Sequence, residues 1–194
     1  MSTYTRTFIK KKDMPSPVCR PFLPTDLDRI QSLYREHIAY NEKNYMSMGE
    51  GPALQATALN KALAQDLASP EAIHKVYDTP GCFLVLEESE GVVVGCVGLQ
   101  YHAETEVAEV RRMSIAASHQ RRGLGSVLIK GVMEHARLHG IQALELGTFS
   151  GFVTACKFYE ALGFMVGEGT DAPQDKVSLP PWGNWVTYRK VLNS

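Results

Sequence analysis

The chain has 194 residues, 44% of them hydrophobic, and 20 Lys and Arg balance 21 Asp and Glu to a formal net charge of -1. That length suits one domain able to bury a core without metals or disulfides, and the charge balance excludes a broad basic footprint for nucleic acid. No run approaches the ~18 apolar residues of a membrane helix, and the first residues lack the apolar stretch of a secretory signal, so the expectation is a soluble, cytoplasmic protein without a membrane partner.

Residues 1–15 hold Arg6 and Lys10 to Lys12 ahead of the first acidic residue, Asp13, and read as a solvated basic tail. Residues 16–194 are then the folded domain. A short extended segment turns at Pro21 to Pro24, after which Leu27, Ile30, Leu33, Tyr34 and Ile38 recur at helical spacing, with Thr25 and Asp26 as candidate caps. The loop Asn41 to Pro52 is unusually apolar, carrying Tyr45, Met46 and Met48. A second helix follows through Leu54, Ala58, Ala62 and Leu67 to about Ala68, stopped by Pro70.

Two β-rich runs, "CFLVLEE" and "GVVVGCVGLQYH", are separated by Ser89 to Gly91 in the pattern of an antiparallel hairpin, and "AEVRRMSIAA" makes a third strand. Next come the glycine-rich junction "SHQRRGLGS", a helix stopped by Gly140, the strand "ALELGTF", a helix from Gly151 to Leu162 stopped by Gly163, and the strand "FMVGE". A Gly/Pro-rich loop from Gly167 to Gly183 leads to a last strand, "NWVTYRKVL". This order predicts an α/β domain with a mixed central sheet of about seven strands flanked by helices, antiparallel early and parallel in the middle. The cysteines Cys19, Cys82, Cys96 and Cys156 form no C-x-x-C pair and read as reduced core thiols.

The junction is where binding chemistry concentrates. A P-loop needs lysine after its last glycine, and Ser126 follows Gly125. A dinucleotide fingerprint needs a small residue at 128, where Leu128 stands, although Glu145 lies at the distance of an acidic ribose partner. The free N–H groups of a helix N-terminus take a pyrophosphate without either feature, with Gly123 and Gly125 allowing close approach and Arg121 and Arg122 adding charge. A sharp turn with solvated arginines is the plainer alternative.

Gln120-Arg121-Arg122-Gly123-Leu124-Gly125 resembles the Q/R-x-x-G-x-G/A acetyl-CoA signature of the GNAT superfamily of N-acetyltransferases. "AEVRRMSIAASHQ" before it and "ACKFYEALGF" after it are similar to two further GNAT segments, in order and at compatible spacing. "RRMSIAASHQRRGLG" also resembles the branch holding cysteine S-conjugate N-acetyltransferases, although the membrane segment of that branch is missing. The resemblance implies a single-domain GNAT-like fold and acetyl transfer to an amine. It implies acetyl-CoA as co-substrate, with its pantetheine arm on the backbone of Met113, Ser114 and Ile115 and its pyrophosphate on the loop from Gln120 to Ser126. A homodimer is an assembly such proteins commonly adopt.

Acetyl transfer needs a base for the attacking ammonium and an acid for the leaving thiolate. Tyr159 shares an inward helix face with Phe152, Ala155 and Cys156, and by resemblance holds the general-acid position; a core tyrosine is the bland reading. Glu109 lies on the strand feeding the junction, where alternation puts it on one face with Arg111, Met113 and Ile115. Partial burial there would suit a base, and an ion pair with Arg111 or Arg112 is the competing role; Glu106 is the reserve. Phe152 departs from the family's usual asparagine, which puts one cofactor contact in doubt.

His135 and His139 at i, i+4 lack companion ligands and read as solvated, so no metal is expected. Trp182 and Trp185 either anchor the last strand or wall an acceptor site formed with the two long loops. The expected acceptor is the primary amine of a small molecule or amino-acid derivative. A protein lysine or N-terminus, and a non-catalytic acyl-CoA-binding protein, are the alternatives.

Overall fold

The computed structural model describes residues 17–47, 49–88, 91–167 and 182–192. The basic tail, Met48 and most of the loop after Gly167 lie outside these residues. The elements are β1 (Val18–Pro21), a 3-10 turn (Pro24–Asp26), α1 (Leu27–Tyr45), α2 (Gly51–Ala64), α3 (Pro70–Val76), β2 (Cys82–Glu87), β3 (Val93–His102) and β4 (Val107–Ile115). A second 3-10 turn (Ala117–His119), α4 (Leu124–Leu138), β5 (Ala143–Phe149), α5 (Val153–Ala161), β6 (Met165–Val166) and β7 (Trp185–Val191) follow.

The seven described strands form one mixed sheet in the order β1-β2-β3-β4-β5-β7-β6. The expected β2–β3 hairpin is present, Leu84 pairing with Val97 and Val85 with Cys96. Parallel pairing is narrower than the sequence implied, being confined to β4 with β5; β7 inserts antiparallel between β5 and β6 and takes the edge that another parallel strand would have used.

Helices cover both faces of the sheet, which is why β2 and β3 read as nearly unbroken apolar runs. On one face α4 lays Leu124, Leu128, Ile129, Val132 and Ala136 onto the sheet core. On the other, α1 buries Ile30, Leu33, Tyr34 and Ile38, the stripe read from the sequence, against Val85, Val93 and Cys96. Asp26 occupies the N-cap position of α1, but its carboxylate turns back to accept from the Leu23 N–H at 2.8 Å and from Arg20. α1 continues through Asn41 to Tyr45, shortening the expected loop. Pro70 begins a helix instead of only ending one: Ser69 caps α3 by accepting from the Ala72 N–H, and a proline in the first turn has no N–H to leave unpaired.

Two irregularities in β4 make the site. First, β4 pairs with β5 only from Val107↔Ala143 to Glu109↔Glu145. Beyond that point β4 stays with β3 and β5 with β7, so the two strands part. Secondly, the β3–β4 register shifts between Cys96 and Gly98, opposite Arg112, whose φ is 54°. This bulge resets the side-chain alternation. Arg111 pairs with Gly98, which lies under the Tyr77 ring, so Glu109 and Arg111 face the α1–α3 side, whereas Met113 and Ile115 pack with the α4 core. The single face expected for all four residues is therefore divided, because one extra residue flips everything after it.

Candidate active site

Where β4 and β5 part, a cavity of about 670 Å³ opens between the strands, α1, α2, α4 and α5. Its size falls in the ordinary range for small-molecule sites. In an antiparallel ladder every second residue turns its backbone groups away from the partner. Past Glu109 those groups of β4 point into the gap, without β5 to receive them. The cavity brings together Glu109, Met113, Ser114, Ile115, Gln120, Arg121, Gly123, Leu124, Gly125, Ser126 and Tyr159. Arg122 is turned away: its Nη2 donates to Glu88 Oε1 at 2.9 Å, and Glu88 also meets His119 Nε2 at 3.1 Å.

The two glycines of the junction serve different needs. Gly123 sits at φ 81° with open space where a Cβ would stand, so conformation selects it. Gly125 is helical, and a Cβ there would press within 3.0 Å of Met113 and 3.1 Å of Phe158, so packing selects it. Leu124 and Gly125 open α4, and their N–H groups find no acceptor among the described residues. The φ angles of Arg121 and Gly123 are both positive while that of Arg122 is not, an alternation that curls successive N–H groups toward one side. The helix start is thus an unfilled donor set at the mouth of the cavity.

Tyr159 reaches from α5 across the gap to β4, its Oη 3.7 Å from Met113 Sδ. Its ring packs edge-on to Phe158 at 5.1 Å and Phe164 at 5.9 Å. Burial, with a smaller contribution from nearby Cys156, pushes its hydroxyl up to about 12, so it is protonated throughout the neutral range. Glu109 is more open than expected, its side chain 40% exposed. Its Oε2 lies 3.8 Å from Arg111 Nε and 3.6 Å from His102 Nε2. Arg111 also donates to Gln100 Oε1.

Arg112 has a wholly different setting. Its Nε and Nη2 donate to the two oxygens of Asp66, both at 2.8 Å, and Nη1 donates to Tyr34 Oη at 2.9 Å. Tyr77 Oη donates to the same carboxylate. Burial alone would raise the Asp66 carboxyl, but the hydrogen bonds from Arg112 and Tyr77 outweigh it and hold it below the usual range.

The two tryptophans separate. Trp182 is buried with Met46 and Phe152 and anchors the chain before β7, whereas Trp185 is 57% exposed and lines the cavity, edge-on to Phe149 at 5.2 Å. Phe152, the residue that departs from the resembling family's usual asparagine, also lines the cavity and puts an aromatic surface there, 4.7 Å from the Tyr45 ring. His135 is half-buried and holds the Pro80 and Gly81 carbonyls, stacked on His139 at 4.0 Å. No group of three or more metal-ligating side chains occurs among the described residues.

Sequence reasoning missed the wall that α1 and α2 provide. Tyr34, His37 and Asn41 line the cavity from α1, and Gln55 does so from α2. His37 and Asn41 continue the helical stripe begun by Tyr34, so polar residues in an otherwise apolar face were the available signal. Burial holds the His37 ring down at about 4, hence neutral. Gln55 is 5% exposed and its Oε1 has no donor among the described residues.

The cleft is thus a strand pair that parts above a helix N-terminus, with a tyrosine spanning the gap. The model of the acetyltransferase (GNAT) family matches residues 52–164, more than half of the chain, and the chain belongs to that family. An N-acetylaspartate synthetase from Danio rerio is 38% identical over 114 residues, 58% of this chain and 40% of that protein. The chain thus spans well under half the length of that curated relative. The solved PaiA N-acetyltransferase of Thermoplasma acidophilum, in complex with coenzyme A, superposes with a TM-score of 0.72 at 17% identity, covering 91% of this chain and 99% of that one. A GNAT-family acetyltransferase of Staphylococcus aureus gives a TM-score of 0.66 at 19% identity, covering 92% and 100%. Both show the fold. No helix of the described residues is long and apolar enough to cross a membrane.

Proposed function

We propose that the protein transfers the acetyl group of acetyl-CoA to the primary amine of a small molecule or amino-acid derivative. The observation that carries this reading is the free edge of β4 beyond Glu109, leading to the unfilled N–H groups of Leu124 and Gly125. Amide groups of a pantetheine arm fit the former as an added strand would, through Met113 to Ile115, and a pyrophosphate fits the latter. Arg121, facing the cavity, supplies charge there, whereas Arg122 is committed to Glu88. The name of the Danio rerio relative, N-acetylaspartate synthetase, supports a small acceptor. So does the wall that Tyr34, His37 and Gln55 give the cavity on one side.

In the reaction the amine nitrogen bonds to the thioester carbonyl carbon and the carbon–sulfur bond breaks. Glu109, directly or through water, takes the first proton the ammonium must lose, Tyr159 Oη gives its proton to the departing sulfur, and the second proton, shed by the nitrogen as the amide forms, restores Tyr159. Burial keeps the Tyr159 proton in place through the neutral range, so the hydroxyl is present as a donor when the carbon–sulfur bond breaks. The test is release of free CoA from acetyl-CoA over a panel of amines, with wild type and Tyr159→Phe compared. Phenylalanine keeps the ring packing, so kcat falls by ~10²- to 10⁴-fold while acetyl-CoA affinity, measured by calorimetry, stays within about twofold. Near-wild-type turnover returns Tyr159 to a packing role.

A further inference from the structure

Resting on the acetyltransferase reading, we infer that the acceptor is a free α-amino acid, whose carboxylate is held by Arg111 while its amino group lies at Glu109. The two side chains stand two residues apart on one face of β4, before the bulge, and both line the cavity. Their closest approach, 3.8 Å, is looser than the 2.8 Å contacts that bind Arg112 to Asp66. Arg111 gives Nη1 to Gln100 and keeps its other donors, and the Glu109 carboxylate accepts no hydrogen bond among the described residues. An α-amino acid carries the inverse pair, an ammonium and a carboxylate on one carbon, and docking it replaces one loose ion pair with two charge-assisted contacts.

The other cations in the wall are already committed. Arg112 is neutralised by Asp66, His119 meets Glu88, and Arg121 belongs to the junction that opens α4. His37 is uncharged. Among the described residues that line the cavity this leaves Arg111 as the cation beside Glu109; His102, 3.6 Å from the same carboxylate, is not part of that wall. The unpartnered Gln55 Oε1 in the same wall adds an acceptor, which suits a ligand rich in N–H donors. A lysine side chain or a peptide N-terminus presents an amine without a carboxylate on the neighbouring carbon, so this arrangement discriminates against protein acceptors.

The experiment compares three matched acceptors on the full chain with acetyl-CoA: a free amino acid, its α-amide and its decarboxylated amine, screened over several side chains by CoA release. The free acid is expected to exceed the amide in kcat/KM by about 100-fold, the scale of losing one desolvated charge partner. In Arg111→Gln that ratio collapses toward one, through the acceptor KM and not the acetyl-CoA KM, and Arg111→Lys restores part of it. Equal use of acid and amide by wild type, or a ratio unmoved in Arg111→Gln, overturns the carboxylate anchor while leaving the transferase reading intact. Absence of both acetyl-CoA binding and CoA release with every acceptor overturns the two together.

Discussion

Arg111 and Arg112 are neighbours in one strand, yet they belong to different parts of the molecule. The bulge at Arg112 sends its guanidinium into a nearly dry knot with Asp66, Tyr34 and Tyr77, where each oxygen of Asp66 has a donor. Arg111 lies at the cavity wall with a glutamate just beyond hydrogen-bond reach and an amide as its direct partner. The knot ties α1 and the segment after α2 to β4, and so fixes the wall against which the cavity forms. What distinguishes a structural arginine from a binding one here is how completely its charge is already answered.

Breaking the knot should give the largest effect. Arg112→Met leaves Asp66 buried without its cation and is expected to cost about 3–5 kcal/mol of unfolding free energy, read from denaturant midpoints. A loss under ~1 kcal/mol would make the knot no more than a surface pair. The pH dependence sharpens this. The Asp66 carboxyl is depressed in the folded state, so its stabilisation is fully present above its unfolded value and disappears as pH falls through the folded one. Thermal stability should therefore fall below about pH 4, and Asp66→Asn should flatten that acid limb while lowering stability at neutral pH.

On the cavity side the effects belong to activity. Glu109→Gln should lower kcat/KM by about 100-fold at the acid end of the profile and less as pH rises, since alkaline solution supplies free amine without a base. A defect of equal size at every pH would make Glu109 an ion-pair partner alone. Smallest of all, Arg111→Met should change unfolding free energy by less than ~1 kcal/mol, because its pair with Glu109 is loose and partly exposed. A loss comparable to that of Arg112→Met would erase the distinction between the two arginines.

Much of this was legible in the chain itself. Apolar spacing located α1, α4 and the hairpin strands, Gly140 and Gly163 marked helix ends, and Gly123 with Gly125 marked the mouth of the cavity. Those features depend on contacts within a few residues, and local periodicity and φ preferences record them directly. The Ser69-Pro70 start of α3 was equally local, but a proline after an apolar helix reads as a stop as readily as a start.

The tertiary structure alone decided the rest. Nothing in "AEVRRMSI" announces that one residue bulges, because the shift exists only against β3, and it alone determines which side chains share a face. Nor does β5 reveal that it leaves β4 after three pairs and takes β7 as its other neighbour. The assignment of Trp182 to the core and Trp185 to the cavity, and the arrival of Gln55 and His37 at the same wall, likewise come from segments far apart in the chain. Chain composition and periodicity specify elements, whereas charge pairing, register and cavity walls arise where distant segments meet.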